Sequence, residues 1–234
     1  MIKKLSKENM GTSNLRWLES RFHFSFAQYY NPENVNFGVL RVLNDDIIHP
    51  QSGFDTHPHE NMEIVTYITN GELTHKDSMG NEEILTRGEV QYLSAGDGIY
   101  HSEHNMHKSE DLTLLQIWIV PPKKGLPRLY GSHKYKEEER KNKLLNIVSS
   151  QNGNSPIKLH QDVNFFVSQL DDNKEVTYQI DDNKQVYFVQ IEGSSDINKT
   201  TLNSHDAAEI INEREILIKA NNKSHFLFIE LPKV

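Results

Sequence analysis

Cysteine is absent from the 234-residue chain, and this absence removes two classes of site. Without cysteine there is neither a disulfide framework nor a thiolate metal site, and nothing in the composition indicates an oxidising compartment. Any metal site in this protein must therefore be built from nitrogen and oxygen ligands.

Long apolar runs are also missing. The N-terminal residues carry charges without the apolar stretch that a secretory signal requires, and no later segment approaches the roughly 18 apolar residues of a membrane span. We therefore predict a cytoplasmic protein with no membrane partner.

Positive charge is in deficit, since 25 Lys and Arg residues face 33 Asp and Glu residues and the formal net charge is -8. An acidic balance of this kind repels a phosphate backbone, so we predict no direct binding to nucleic acid. The most basic stretch, residues 123–136, runs into three consecutive glutamates and is typical of a solvated linker.

Helical periodicity is scarce, whereas short β-type runs separated by turn residues recur along the whole chain. The runs are residues 37–43, 63–69, 90–94 and 112–120 in the first half, and 165–170, 176–180, 186–191, 216–218 and 226–231 in the second. Turn formers such as Asn70-Gly71 and Gly96-Asp97-Gly98 lie between them. The pattern predicts an all-β chain of barrels or sandwiches.

A proline-bearing connection divides this β pattern in two. Pro121-Pro122 and Pro127 are followed by a charged stretch, in which residues 136–145 are the best helical candidate. We predict two domains, residues 1–133 and 134–234, with a short helix in the connection. The halves look like distant copies, because residues 67–72 and 189–194 each read as a strand that runs into a glycine turn.

Two short motifs carry the chemistry. His57-Pro58-His59 and His101-Ser102-Glu103 each hold two metal-binding side chains at alternate positions, which lie on the same face of a strand. On facing strands the two pairs would converge as three nitrogens and one oxygen. That donor set suits Fe(II), Mn, Ni, Cu or Zn and leaves positions open for water, dioxygen or substrate. Pro58 fits such a strand only at an edge, or where its missing N–H faces away from the ladder.

Two further residues have more than one interpretation. Glu63 follows His59 by four positions. It is either an extra metal ligand or a carboxylate that contacts the ligands without binding the metal. His75 has no partner motif, so we interpret it as an ordinary strand residue, although an imidazole beside a cavity can contact a substrate.

The segments 57–63, 71–72, 75–81 and 94–103 together resemble the signature of the pirin family of the cupin superfamily. The likeness runs from about residue 56 to residue 121 and is strongest to bacterial pirin-like proteins described as quercetin 2,3-dioxygenases. It implies a bicupin, with two antiparallel β-barrels of the jelly-roll type packed face to face. It also implies one metal in the N-terminal barrel, usually Fe(II), with ligands at His57, His59, His101 and Glu103.

The second barrel is expected to lack metal. Counting back from Gly193 by the distance that separates the histidine pair from Gly71 leads to Gln179 and Asp181, not to a second histidine pair.

The resemblance leaves three functions open. The first is a metal-dependent dioxygenase that takes O2 and a small-molecule substrate and opens flavonols such as quercetin, with Glu103 as ligand and catalytic base. The second is a non-enzymatic metal-binding regulator or redox sensor that acts through a protein partner. The third is a metal-binding cupin with neither activity.

Overall fold

The computed structural model describes residues 1–233, and almost all of their regular structure is β-strand. In chain order the elements are β1 (Ile2–Leu5), a 3-10 helix (Lys7–Asn9), β2 (Gly11–Asn14), β3 (Leu18–Phe22), β4 (Leu40–Ile48), β5 (Ser52–His59), β6 (Glu63–Asn70), β7 (Glu72–Asp77), β8 (Glu82–Thr86), β9 (Glu89–Ser94), β10 (Ile99–Asn105), β11 (Leu112–Ile119) and β12 (Leu129–Lys134). They continue with α1 (Glu137–Arg140), β13 (Leu145–Ser149), β14 (Ile157–Lys158), β15 (Asn164–Leu170), β16 (Glu175–Gln179), β17 (Lys184–Glu192), β18 (Ser194–Ile197), β19 (Thr200–Asn203), β20 (Ala207–Ile210), β21 (Glu215–Ala220) and β22 (Ser224–Pro232).

Helix is confined to short turns. The sequence predicts a short helix within residues 136–145, and α1 is a single turn that ends at Arg140. The chain leaves the helix because Lys141 is extended and Asn142 has a positive φ of 54°. Within residues 1–233, no helix has the length and apolar character needed to cross a membrane.

Two compact units divide the chain. The first unit contains Gly11–Lys134 and Leu159–Gln161, and the second contains the rest of the described chain, including Met1–Met10. These limits differ from the expected 1–133 and 134–234 because β1 pairs with β20, with Ile2 opposite Ile210, and so adds an edge strand to the second unit. That the expected limits bound independently folding domains stays a prediction.

Each unit consists of a seven-stranded and a four-stranded sheet. In the first unit the sheet orders are β12-β9-β6-β11-β4-β3-β2 and β5-β10-β7-β8. In the second they are β1-β20-β17-β22-β15-β13-β14 and β16-β21-β18-β19. The same arrangement therefore occurs twice, with β16 and β21 in the places of β5 and β10. The predicted all-β jelly-roll class is confirmed, although each unit is a pair of sheets and not a closed barrel.

Apolar side chains from both sheets of the first unit form its core. Ile68 and Leu114 come from the larger sheet and Leu73 and Leu85 from the smaller one, and all four are buried together. When two sheets pack together, one face of each sheet contributes to the core and the other faces solvent. This accounts for the alternating burial along β10.

Glycine is required at the turn that leads from the larger to the smaller sheet in each unit. Gly71 and Gly193 have φ values of +80° and +73°, a region that residues with a Cβ rarely adopt. A Cβ on Gly71 would lie 2.6 Å from the carbonyl oxygen of Asp111, and one on Gly193 would overlap the carbonyl oxygen of Lys223. The equivalence of the two turns, expected from the sequence, is thus visible in their backbone geometry.

We expect Gly71→Ala to lower the free energy of unfolding by about 3 kcal/mol, since the substitution adds a backbone overlap to the cost of a left-handed alanine. Gly80→Ala is the matched control. Gly80 also has a positive φ, +93°, but no atom lies within 4 Å of its Cβ position, so only about 1–2 kcal/mol should be lost. Urea unfolding of both variants measures the difference, and equal losses would contradict the steric argument.

Candidate metal centre

Strand β10 is the central element of the site, because it pairs with β5 on one side and β7 on the other. His101 lies opposite His57 on β5 and opposite Asp77 on β7, while Glu103 lies opposite His75. Alternate residues of a strand share a face, so His101 and Glu103 both point inward, where they are 2% and 3% exposed. Tyr100, which immediately precedes His101, points outward and is exposed.

A bulge in β5 sets the direction of the first histidine pair. Phe54 lies opposite Glu103 and His57 opposite His101, so β5 contains one more residue than β10 over this interval. The extra residue allows Phe54 and His57 to line the same cavity despite their odd spacing. Pro58 causes no conflict, because β5 is an edge strand of its sheet.

Three imidazoles converge at this point. His57, His59 and His101 each offer a ring nitrogen, and the three nitrogens lie within 4.8 Å of one another. The ring centroids are 4.9 Å apart for His57 and His59, 4.5 Å for His57 and His101, and 4.9 Å for His59 and His101. Sequence spacing predicted that these histidines would share a face, and the structure brings them together.

The protonation of His59 and His101 and the orientation of His57 favour metal ligation. Burial, followed by the neighbouring imidazoles, lowers the pKa of both His59 and His101 to about 3, so both are neutral at physiological pH. Nδ1 of His57 lies 2.7 Å from the carbonyl oxygen of Asp55 and donates to it, so Nε2 is the ring nitrogen that can bind a metal. Both ring nitrogens of His101 are buried without a hydrogen-bond partner among residues 1–233. Such orphaned nitrogens are expected where a cation is the missing partner.

Glu103 is held by a polar relay on the larger sheet. Nε2 of Gln116 donates to both carboxylate oxygens of Glu103, at 3.2 and 2.9 Å. The hydroxyl of Thr66 donates to Oε1 of Gln116 at 2.9 Å, which fixes the orientation of that amide. Burial raises the pKa of Glu103, an effect that the bond from Gln116 partly offsets. A buried carboxylate with a raised pKa is suited to accept a proton.

His75 is a site residue, although the absence of a partner motif in the sequence predicts an ordinary strand residue. It is fully buried, and its ring stacks on Tyr130 with centroids 4.8 Å apart. A ring nitrogen of His75 lies within 4.8 Å of ligand atoms of His101 and Glu103, which forms a second cluster of metal-binding groups. Its direct pairing with Glu103 across two strands is a tertiary feature, and no motif in the sequence signals it.

Glu63 lies outside both clusters. Its buried carboxylate accepts hydrogen bonds from the hydroxyl of Tyr92 at 2.6 Å and from the backbone N–H groups of His160 and Gln161 at 2.7 and 3.0 Å. The interpretation of Glu63 as an extra ligand is therefore not supported, because its oxygens tie residues 159–161 to the first unit. The four-residue spacing between His59 and Glu63 would place both on one face only within a continuous strand. Instead, β5 ends at His59 and β6 begins at Glu63.

A cavity of about 170 Å³ lies beside the histidines. His57, His59 and Glu103 line one side of it, and Asn44, Asp46 and Gln116 belong to the larger sheet. The aromatic lining consists of Phe26, Phe54 and Trp118. Sequence patterns do not single out these polar residues, although Asn44 and Asp46 lie in a polar stretch of β4 and Gln116 interrupts the mostly apolar β11.

Comparisons with known proteins agree with this geometry. A family model described as Pirin matches residues 4–119, and one described as the quercetinase C-terminal cupin domain matches residues 146–231. Quercetin 2,3-dioxygenase of Escherichia coli K12 is 38% identical over 234 residues, which cover 100% of both chains. The chain belongs to the pirin family.

Other pirins are similar over their full length. A pirin-like protein of Caulobacter vibrioides is 35% identical over 98% of this chain and 99% of its own. The crystal structure of the bacterial pirin YhhW from Escherichia coli in complex with nickel(II) matches with a TM-score of 0.94 and 36% identity, covering 100% of both chains. The fold of this pirin is thus the one expected from its sequence motifs.

Asp46 is a second buried acid of the cavity with a perturbed pKa. Burial raises its pKa to about 7, with smaller contributions from Asp45 and Glu103 and an opposing hydrogen bond from Ser20. Its pKa in the unfolded chain is 3.8, so between about pH 4 and pH 7 the folded protein keeps a proton that the unfolded chain has released. Stability from this group is therefore full below pH 4 and is lost as the pH rises to 7.

We expect Asp46→Asn to remove this loss and to stabilise the metal-free protein at pH 8 by up to about 4 kcal/mol, with little gain at pH 4. Urea unfolding of chelator-treated protein across this pH range measures the effect. Asp55→Asn, at a fully exposed carboxylate, is the control. A pH dependence that is the same in wild type and Asp46→Asn would contradict the assignment.

Proposed function

We propose that His57, His59, His101 and Glu103 bind one divalent transition metal. The observation that carries this proposal is the convergence of three imidazoles, one of which has two buried nitrogens without a partner in the described chain. Glu103 adds a carboxylate from the same face of β10. The donor set accommodates Fe(II), Mn, Ni, Cu or Zn and leaves coordination positions for further ligands.

The identity of the metal is a separate question. We propose Fe(II), as the family resemblance implies, whereas the related pirin YhhW was crystallised with nickel(II). Imidazole and carboxylate ligands do not distinguish these ions strongly, so metal availability decides which is bound.

We infer further that the protein is a dioxygenase that opens a flavonol such as quercetin with O2. Support comes from full-length relatives named quercetin 2,3-dioxygenase and from the cavity beside the histidines. When bound, the metal would supply Lewis acidity that polarises the oxygens of the flavonol.

The protein's own side chains would perform the remaining steps. Glu103 is positioned by Gln116 and would accept the proton of the flavonol 3-hydroxyl group. Phe26 and Trp118 meet edge to face with centroids 5.5 Å apart and form an apolar wall that excludes water from the substrate ring.

The test measures metal content and oxygen uptake in parallel. Apoprotein is loaded in turn with Fe(II), Mn, Ni and Cu, assayed for bound metal, and then given quercetin in an oxygen electrode. We expect one metal per chain and oxygen uptake with at least one ion. We expect His57→Ala/His59→Ala to reduce metal binding and uptake by at least about 100-fold, since two of four ligands are removed.

His49→Ala is the matched control, because His49 lies outside both clusters of metal-binding groups and pairs with Asp111. Metal binding without uptake for all four ions would contradict the dioxygenase and leave the metal site intact. Full metal binding by the double variant would contradict the ligand assignment itself.

A further inference from the structure

His75 has the hydrogen-bonding pattern of a metal ligand. Its Nε2 lies 3.4 Å from a carboxylate oxygen of Asp77, and both side chains are fully buried. Because an ionised carboxylate only accepts hydrogen bonds, Nε2 is the donor, and Nδ1 is the ring nitrogen that can bind a metal. A histidine that ligates a metal almost always donates its other N–H to a carboxylate, a carbonyl group or water.

The surroundings of His75 hold its ring in this orientation. The carboxylate of Asp77 accepts hydrogen bonds from the side chain and the backbone N–H of Asn81, at 2.8 and 3.1 Å. The ring of His75 stacks on Tyr130 with an interplanar angle of 15°, and the hydroxyl of Tyr130 donates to Glu83 at 2.7 Å. The imidazole is therefore positioned before any ion binds, as a precise ligand site requires.

Two further donors lie beside this imidazole. Nδ1 of His75 is buried and has no hydrogen-bond partner within residues 1–233, and the same holds for both ring nitrogens of His101. A ring nitrogen of His75, a ring nitrogen of His101 and a carboxylate oxygen of Glu103 all lie within 4.8 Å of one another. Two imidazoles and one carboxylate are the donor set of many non-haem Fe(II) sites.

Burial from water does not exclude a metal ion from this place. A bond between a metal and an imidazole nitrogen is about 2.0–2.1 Å long, whereas a hydrogen bond to nitrogen is roughly 2.7–3.2 Å long. Donor atoms that a water molecule cannot reach can therefore still surround an ion. His101 and Glu103 also belong to the proposed metal site, so an ion can exchange its other ligands while these two stay bound.

We propose that His75, His101 and Glu103 form an inner position for the metal ion. It is an alternative to the position proposed above, here called the outer position, in which His57 and His59 take the place of His75. This inference rests on the proposed function, because both positions use His101 and Glu103 and one ion therefore occupies one or the other. The cavity is lined by His57 and His59 but not by His75, so an ion in the inner position is withdrawn from the substrate.

Copper(II) bound to a variant without the outer histidines tests the proposal. Chelator-treated His57→Ala/His59→Ala is titrated with Cu(II), and pulsed EPR counts the imidazoles that are bound to the ion. We expect one Cu(II) per chain with two bound imidazoles, held at least about 100-fold more weakly than by wild type. Wild type should hold one Cu(II) with three bound imidazoles.

A third substitution in this double variant assigns the second imidazole. Adding His75→Phe keeps a flat ring against Tyr130, and we expect one bound imidazole and a further loss of affinity of at least about tenfold. Adding His75→Leu removes the same nitrogens independently. Adding His104→Ala is the matched control and should leave two bound imidazoles, because His104 lies on β10 outside both clusters and pairs with Asp55 at 3.3 Å.

Each outcome bears on one of the two positions. If the double variant is folded by circular dichroism and binds no Cu(II), or binds it with one imidazole, the inner position is overturned and the outer position stands. Two bound imidazoles that persist after both His75→Phe and His75→Leu would overturn the assignment to His75. Two Cu(II) ions per wild-type chain would overturn the alternation between positions. Wild-type affinity in the double variant would contradict the outer position and not the inner one.

Discussion

The register of β10 between β5 and β7 is the constraint on which the site depends. It places His101 beside His57 and Glu103 beside His75, and every inward side chain of the smaller sheet follows from it. Because strand side chains alternate, a slip of one residue would turn His101 and Glu103 outward and bring Tyr100 and Ser102 inward. Burial of His101 and Glu103 against the larger sheet, and the left-handed turn at Gly71 before β7, both oppose such a slip.

The polar side chains around the histidine cluster are buried, which lowers the stability of the fold. Glu103 is compensated by Gln116 and Thr66, which lie side by side on β11 and β6 and form one connected relay. His101 and Asp46 are compensated only in part, since each retains buried atoms without a partner in the described chain. Unmet polar groups in a closely packed interior are typical of sites that wait for a ligand.

The second unit repeats the architecture without repeating the polar interior. Strands β16 and β21 occupy the places of β5 and β10, but their inward residues include Val176, Tyr178, Ile216 and Ile218. These side chains pack with Phe166 and Phe228 in an apolar cluster. The same sheet pairing is therefore compatible with either a polar cavity or a filled core, and the side chains on two strands decide between them.

Local patterns in the chain were enough to predict nine of the strands, the glycine turns and the two motifs with alternate metal-binding residues, because each depends on a periodicity or a backbone preference of neighbouring residues. Tertiary structure decided what lies opposite those motifs. Asn44, Asp46 and Gln116 reach the cavity through strand pairing over long sequence separations, and His75 meets Glu103 in the same way. Sheet pairing also placed β1 in the second unit and turned Glu63 away from the histidines, since a register is fixed only when distant strands meet.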